Sequence, residues 1–373
     1  MPAPLEAVTA RDPYPYYATL VAERPLYHDD ELQAWVASGA GAVEALLHHP
    51  ACRVRPPAQP VPEGIDGSAA GEVFGSLVRM TDGDVQRTRK HAVVEALAEA
   101  RADRVAALAA EHAQAALAGS TERRLQDLML AVPARTVASL CGLDATSGAQ
   151  AARLTGDFVG CIPATATRPQ QEVAARAAQG LQELLSPLMS VASDGPLGVL
   201  ARAAARSGAG AGPMLANAIG LLSQTYDATA GLVGNTLVAL AGDGARPSGE
   251  PLERYVREVA RHDSPVQNTR RFTVAPVRVD GVLIPAGQAI LLVLAAANRD
   301  PAANPDPHAF LPDRPRPALF GFGAGTHRCP GETVAFAIAT AVVGELLASD
   351  FEPRELPEDV SYRPSPNARI PIL

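Results

Sequence analysis

Lysine is nearly missing from this 373-residue chain: Lys90 is the only one among 32 basic residues. The scarcity, beside abundant alanine, arginine, glycine and proline, reflects the coding genome more than any chemistry. The four cysteines, Cys52, Cys141, Cys161 and Cys329, are irregularly spaced and form no CxxC pair. That spacing suggests neither a disulfide framework nor a zinc site, and it fits a reducing cytoplasm. No apolar run reaches the ~18 residues of a membrane span. The first residues, Met1 to Val8, lack the basic segment and apolar core of a signal peptide. The chain is therefore expected in the cytoplasm with no membrane anchor. A formal net charge of -8 excludes a broadly basic surface for nucleic acid. Repeats, low-complexity tracts and linkers are absent too, so residues 1–373 read as one domain, with a β-rich part over about 1–75 and a helical part over about 76–373 that are not independent.

What is present is mostly helical spacing. Apolar residues recur with helical period over Tyr14 to Glu23, Ala42 to Leu47, Asp84 to Glu99, Ala102 to Leu117, Leu125 to Cys141, Ala149 to Val159 and Gln171 to Ala192. A longer helix is expected over Met214 to Leu240, and another over Leu252 to His262. Leu32 to Ala37, Val274 to Ile284 and Gln288 to Leu294 read as strands. Arg53 to Gly75 is rich in proline and glycine and reads as a long loop of the kind that lines sites. The fold class is mainly α with small β regions.

The most informative stretch is Phe322-Gly323-Ala324-Gly325-Thr326-His327-Arg328-Cys329-Pro330-Gly331, leading into an apolar helix that runs to about Ala348. It presents one cysteine in a glycine-rich loop, the way a protein offers a thiolate to a haem iron. Gly323, Gly325 and Gly331 permit tight turns and positive φ, so backbone amides can gather on the sulfur. The bland alternative is a glycine-rich turn with an incidental buried cysteine. The stretch resembles the haem-binding signature of cytochromes P450, F-x-x-G-x-x-x-C-x-G, with Phe322, Gly325, Cys329 and Gly331 in the defining places.

Other segments resemble that family in the same order. Glu258-Val259-Ala260-Arg261 matches its helical E-x-x-R, in which acid and arginine share a face and pair. Phe310 to Pro315 resembles the segment that adds a second arginine, Arg314. The resemblance implies a buried structural cluster of Glu258, Arg261 and Arg314, against the alternative of a solvated ion pair. Ala296-Ala297-Asn298-Arg299-Asp300-Pro301 matches a family stretch and is read as fold evidence only. The implied fold is the P450 triangular helical prism, with haem b between the long distal helix and the cysteine-loop helix. Cys329 is the implied iron ligand, and Arg89, Arg271 and His327 are the implied partners of the haem propionates. Val85 stands where the family usually has histidine, a departure that bears on one further propionate contact.

The long helix carries Gln224-Thr225-Tyr226-Asp227-Ala228-Thr229 where the family has A/G-G-x-D/E-T, aligned on Gly234-Asn235. Asp227 then takes the place of the proton-delivering acid and Ala228 that of the threonine. Thr229 lies one position on, turned by about 100°, and cannot replace the hydroxyl. Gln224 shares the face of Ala228 four residues away, and is the candidate to hold a distal water or the substrate. Asp227, Gln224, Ala228 and Thr229 are thus the candidate catalytic segment; the alternative is a plain core helix. Substrate contacts are expected from Arg53 to Gly75, the connection around Pro163 to Pro169, the distal helix near Leu221 and the strand after Pro265.

The resemblance implies an enzyme that oxidises a small organic molecule with O2, by hydroxylation or epoxidation, in secondary-metabolite biosynthesis. Electrons would come from a ferredoxin and ferredoxin reductase, steered by Arg87, Lys90 and Arg328. Loss of the threonine keeps a second reading open: oxidative C–C or C–O cross-linking of an aromatic or peptide substrate. A non-catalytic haem-binding protein is the third, although it leaves Asp227 without a task.

Overall fold

Leucine- and alanine-rich segments with apolar residues at helical spacing build most of the chain, and short β-branched runs build a sheet. The structure, a computed structural model, describes residues 3–118, 124–163, 166–207 and 210–373. In chain order the described elements are α1 (Tyr14–Glu23), β1 (Leu26–Asp29), β2 (Ala34–Ala37), α2 (Ala40–His48), β3 (Cys52–Arg53), α3 (Ala69–Ser76), α4 (Gly83–Ala98), α5 (Ala102–Leu117), α6 (Arg124–Leu140) and α7 (Ala145–Val159). There follow α8 (Arg168–Leu185), α9 (Gly195–Ser207), α10 (Ala211–Asp243), α11 (Gly249–His262), β4 (Thr269–Thr273), β5 (Val277–Val279), β6 (Val282–Ile284), β7 (Ala289–Leu292), α12 (Leu294–Asn298) and α13 (Glu332–Ala348). Among the described residues, no helix is long and apolar enough to cross a membrane.

The chain divides into two compact units. One comprises Met1–Pro57, Gly231–Cys329 and Leu346–Leu373, the other Ala58–Ala230 and Pro330–Glu345. Two of the boundaries fall inside α10 and α13, and a third falls directly after Cys329.

The first unit holds a five-stranded sheet in the order β1-β2-β7-β4-β3. Only the β2–β7 pair is parallel, with Trp35 opposite Ile290 and Ala37 opposite Leu292. Strands from the start of the chain thus pair with strands beyond residue 268. One face of this sheet buries Val43, Leu46 and Leu47 of α2 with Ile290, Leu292 and Phe320. Another core joins Tyr17 and Leu20 of α1 to Val36 and Leu291. The second unit is helical, with α5 packed on α6, α6 on α7, α7 on α8, and α3 on α8.

Several expected elements are corrected. The loop expected over Arg53 to Gly75 contains a 3-10 turn at Glu63–Ile65 and most of α3. Ser68 starts α3, its Oγ accepting from the Gly71 N–H at 3.2 Å. The helix expected to reach Ala192 ends at Leu185, where a 3-10 turn carrying Pro187 takes over because proline supplies no N–H to continue the ladder. β4 precedes the strand expected from Val274, and β1 and α9 were not expected. β4 escaped notice because its inward positions include Arg271, 4% exposed, so its hydropathy does not alternate as in an ordinary half-buried strand.

Candidate functional site

Four thiols are present and one is exposed. Cys52, Cys141 and Cys161 are buried, whereas Cys329 lies open in its loop. Burial pushes the thiols of Cys52 and Cys161 up to about 11 and that of Cys141 up to about 12, so these three are held as neutral apolar groups. The incidental buried cysteine is therefore excluded as a description of Cys329. Its backbone N–H donates to the Phe322 carbonyl at 2.8 Å, closing the loop on itself. Gly323 and Gly325 have φ of +68° and +63°, which side-chain-bearing residues rarely adopt. A Cβ on Gly325 would also stand 3.1 Å from the Leu47 carbonyl oxygen, so the loop can rest on α2 only with glycine there. Gly331 departs from expectation: it has no positive φ, and its carbonyl instead accepts the Ala335 N–H at 2.9 Å at the start of α13.

The loop is reached through a buried charge cluster on α11. Glu258 accepts from Arg261 in a two-point pair, at 2.9 Å from Nε and 2.6 Å from Nη2, with both side chains essentially sealed from water. Arg261 also donates to the carbonyls of Pro307 at 2.7 Å and Ala309 at 2.9 Å. Glu258 accepts further from the Leu311 N–H at 3.0 Å and from Arg314 Nε at 3.5 Å. Arg314 in turn donates to the carbonyls of Pro305 and Asp306. These contacts replace water around two buried ions and fix the irregular chain between α12 and the cysteine loop.

Asn298 carries that order to the loop itself. It is fully buried, and its Oδ1 accepts from the Phe320 N–H at 2.6 Å. Its carbonyl accepts from Arg261 at 3.3 Å and from Asn304 at 2.9 Å. The sequence marked this stretch for the fold alone and missed the role of Asn298; an asparagine inside an alanine-rich buried run was the available signal. Asn298→Ala leaves the Phe320 N–H without its acceptor at a cost of about 1–3 kcal/mol. The expected outcome is a lower urea midpoint together with a lower Soret-to-280 nm absorbance ratio of purified protein, with Asn298→Asp falling between it and the parent.

On α10 the structure separates the candidate catalytic residues by exposure. Gln224, Asp227 and Ala228 are partly exposed, while Thr229 is 1% exposed and turned into the core. The side chain facing Gln224 was not foreseen: Arg79 Nη1 donates to Gln224 Oε1 at 2.7 Å. Arg79 lies a few residues beyond Arg53 to Gly75, the loop expected to touch substrate.

Residues 250–363 match the family model described as Cytochrome P450. Over that stretch the chain is similar to cytochromes P450. It is 37% identical over 148 residues to the cytochrome P450 monooxygenase PikC of Streptomyces venezuelae, a match covering 36% of each chain. The chain thus matches about a third of the length of the first of its curated relatives. It is 24% identical over 366 residues to the beta-dihydromenaquinone-9 omega-hydroxylase of Mycobacterium tuberculosis, covering 93% of this chain and 72% of the relative. The crystal structure of P450BioI superimposes with a TM-score of 0.82 at 21% identity, covering 97% of both chains, which establishes the P450 fold.

P450 proteins use haem b, and the cysteine loop fits that group in offering one thiolate, by which Cys329 would hold the iron. Cys329 is exposed, and among the described residues no three His, Cys, Asp or Glu side chains cluster as they would around a protein-ligated metal ion. Of the expected propionate partners, Arg271 sits on β4 with Nη1 donating to the Arg270 carbonyl at 2.9 Å. His327 lies in the 3-10 turn Gly325–His327, partly buried. In the other unit, Arg89 of α4 donates to the Ser76 carbonyl at 3.0 Å, and burial lowers its pKa. Part of the Arg89 fork is therefore given to the end of α3. Val85, in the place of the family's histidine, is 52% exposed.

A cavity of about 750 Å³ in the first unit contains none of these residues. Its polar lining is occupied: Asp263 accepts from Tyr14 at 2.6 Å and from Arg369 at 2.8 Å, and Arg299 stacks 3.6 Å over the Tyr14 ring. Of the regions expected to touch substrate, Ala164 and Thr165 lie outside the described residues.

Proposed function

We propose that the chain is a haem-thiolate P450 enzyme that oxidises a small organic molecule with O2, by hydroxylation or epoxidation, in natural-product biosynthesis. The observation that carries this reading is the exposed Cys329 in a loop closed by its own N–H on Phe322 and held by two positive-φ glycines. When bound, haem supplies the reductive activation of dioxygen, and a thiolate ligand favours it. The chain's residues supply the rest. Cys329 would hold the iron, and Arg271, His327 and Arg89 would neutralise the propionates. Relatives named as monooxygenases, PikC of Streptomyces venezuelae and DoxA of a Streptomyces strain, support the reaction type.

Electrons would come from a ferredoxin and its reductase in the cytoplasm. Arg328 is exposed in the cysteine loop, while Arg87 is exposed but already contacts Asp84, which weakens its steering. The test is a substrate screen read by the low-to-high-spin shift, followed by product mass. A gain of one oxygen supports the proposal, and substrate-independent electron consumption with no product overturns it.

Ala228 supports a second reading, oxidative C–C or C–O coupling, in which substrate or water supplies the protons that a threonine would relay. A product lighter by two hydrogens identifies it. In either case Gln224 is the proposed organiser of the proton path. Its Oε1 is taken by Arg79 and its Nε2 donates to Ser223 Oγ at 3.5 Å, which leaves one amide N–H to hold a water or the substrate. Gln224→Ala is therefore expected to raise peroxide release per NADH several-fold, and unchanged coupling removes Gln224 from the path.

A further inference from the structure

The turn Val78–Met80 carries Arg79 and is clamped to α10 by one buried side chain. Asn217, 2% exposed, accepts the Val78 N–H at 2.8 Å and donates to the carbonyls of Ser76 at 2.9 Å and Pro213 at 2.8 Å. Leu77, 1% exposed, closes against Gly220, where an added Cβ would come within 3.0 Å of its Cδ2. The backbone beneath Arg79 is thus fixed, and little main-chain freedom remains to be lost when its side chain meets a ligand.

The guanidinium is underused. Gln224 is its one hydrogen-bond partner among the described residues, and Asp227 is the carboxylate whose charge acts on it. A guanidinium offers five N–H donors in a planar fork, so most of this fork is uncommitted among those residues. The group is open to solvent, yet enough protein surrounds it that desolvation lowers its pKa, with the charge of Asp227 acting in the opposite direction. Arg79 therefore presents its charge from a turn that Asn217 and Leu77 pack against α10. Asp227 and Ala228 follow Gln224 by one helical turn, so the fork stands beside the segment aligned with the family's oxygen-side residues.

We propose that Arg79 is the specificity residue for an acidic substrate, and that the molecule oxidised carries a carboxylate or phosphate whose paired oxygens seat on the Arg79 fork beside Gln224. Gln224 orients the guanidinium edge, and the fork's geometry matches a two-oxygen anion better than a single carbonyl. This inference rests on the chain being a substrate-oxidising P450.

The test uses the haem-loaded protein and a panel of matched pairs, each a carboxylic acid and its primary amide on aliphatic, aromatic and macrocyclic skeletons, with the corresponding phosphate monoesters added. Binding is read by calorimetry and by the spin-state shift. Acids or phosphates are expected to bind about 10- to 100-fold more tightly than their amides, the range of one charge-assisted hydrogen bond. Arg79→Gln should erase that preference and Arg79→Lys should keep part of it. Whichever anion series binds names the chemistry of the substrate. Amides that match their acids, a preference that survives Arg79→Gln, or a panel in which no acid or phosphate binds each overturns the inference. Loss of the thiolate-haem carbonyl spectrum in the parent protein would instead count against the enzyme reading, and the calorimetric arm is independent of it.

Discussion

Cys329→Ala is expected to abolish the red-shifted Soret band that reduced thiolate-haem protein shows with carbon monoxide, while leaving the helical circular dichroism in place. The effect should be complete, because the other three thiols cannot substitute. Cys52, Cys141 and Cys161 are buried, and desolvation holds each thiol well above its ordinary pKa. Cys141→Ser in the same preparation should keep the band. A Cys329→Ala protein that retains it would sink the assignment of the iron ligand, and with it the proposed site.

The second large effect concerns stability. Arg261→Leu takes from Glu258 its two-point partner in a sealed site, leaving it Arg314 Nε at 3.5 Å and the Leu311 N–H, and removes the donor from the carbonyls of Asn298, Pro307 and Ala309. Breaking a buried pair by removing one partner costs about 3–5 kcal/mol, a large share of what holds a domain of this kind together. Arg261→Leu is expected to give little folded protein, or a urea midpoint far below the parent's, with haem retention lost alongside. Glu258→Gln should fall short of that, since its amide oxygen still accepts. The control is Arg254, whose pairs with Glu250 and Asp313 are both 2.7 Å long but largely exposed. Arg254→Ala should cost less than about 1 kcal/mol. Equal losses at Arg254 and Arg261 would show that burial is not what gives the α11 cluster its weight.

Helices with a clear apolar stripe were legible in the chain. α1 runs over the expected Tyr14–Glu23 and α5 over the expected Ala102–Leu117. Elements whose inward face is polar or small were not. β4 hides behind Arg270 and Arg271, and α3 begins in a stretch of glycine, serine and alanine where Ser68 supplies the cap. The loop expected over Arg53 to Gly75 stops short of Arg79, the residue that meets Gln224.

The sequence by itself determined the order of the family segments, the lone cysteine in its glycine-rich loop, the E-x-x-R pair and the alanine at position 228. These are local patterns, set by turn chemistry and by side chains a few residues apart on one helix. Only the tertiary structure decided that Cys329 alone of four thiols is exposed, that Asn298 holds the Phe320 N–H, and that Arg79 faces Gln224. The physical reason is distance along the chain. Contacts across 22 residues or 145 are fixed by how helices and strands pack, and no local periodicity encodes which buried donor will find which acceptor.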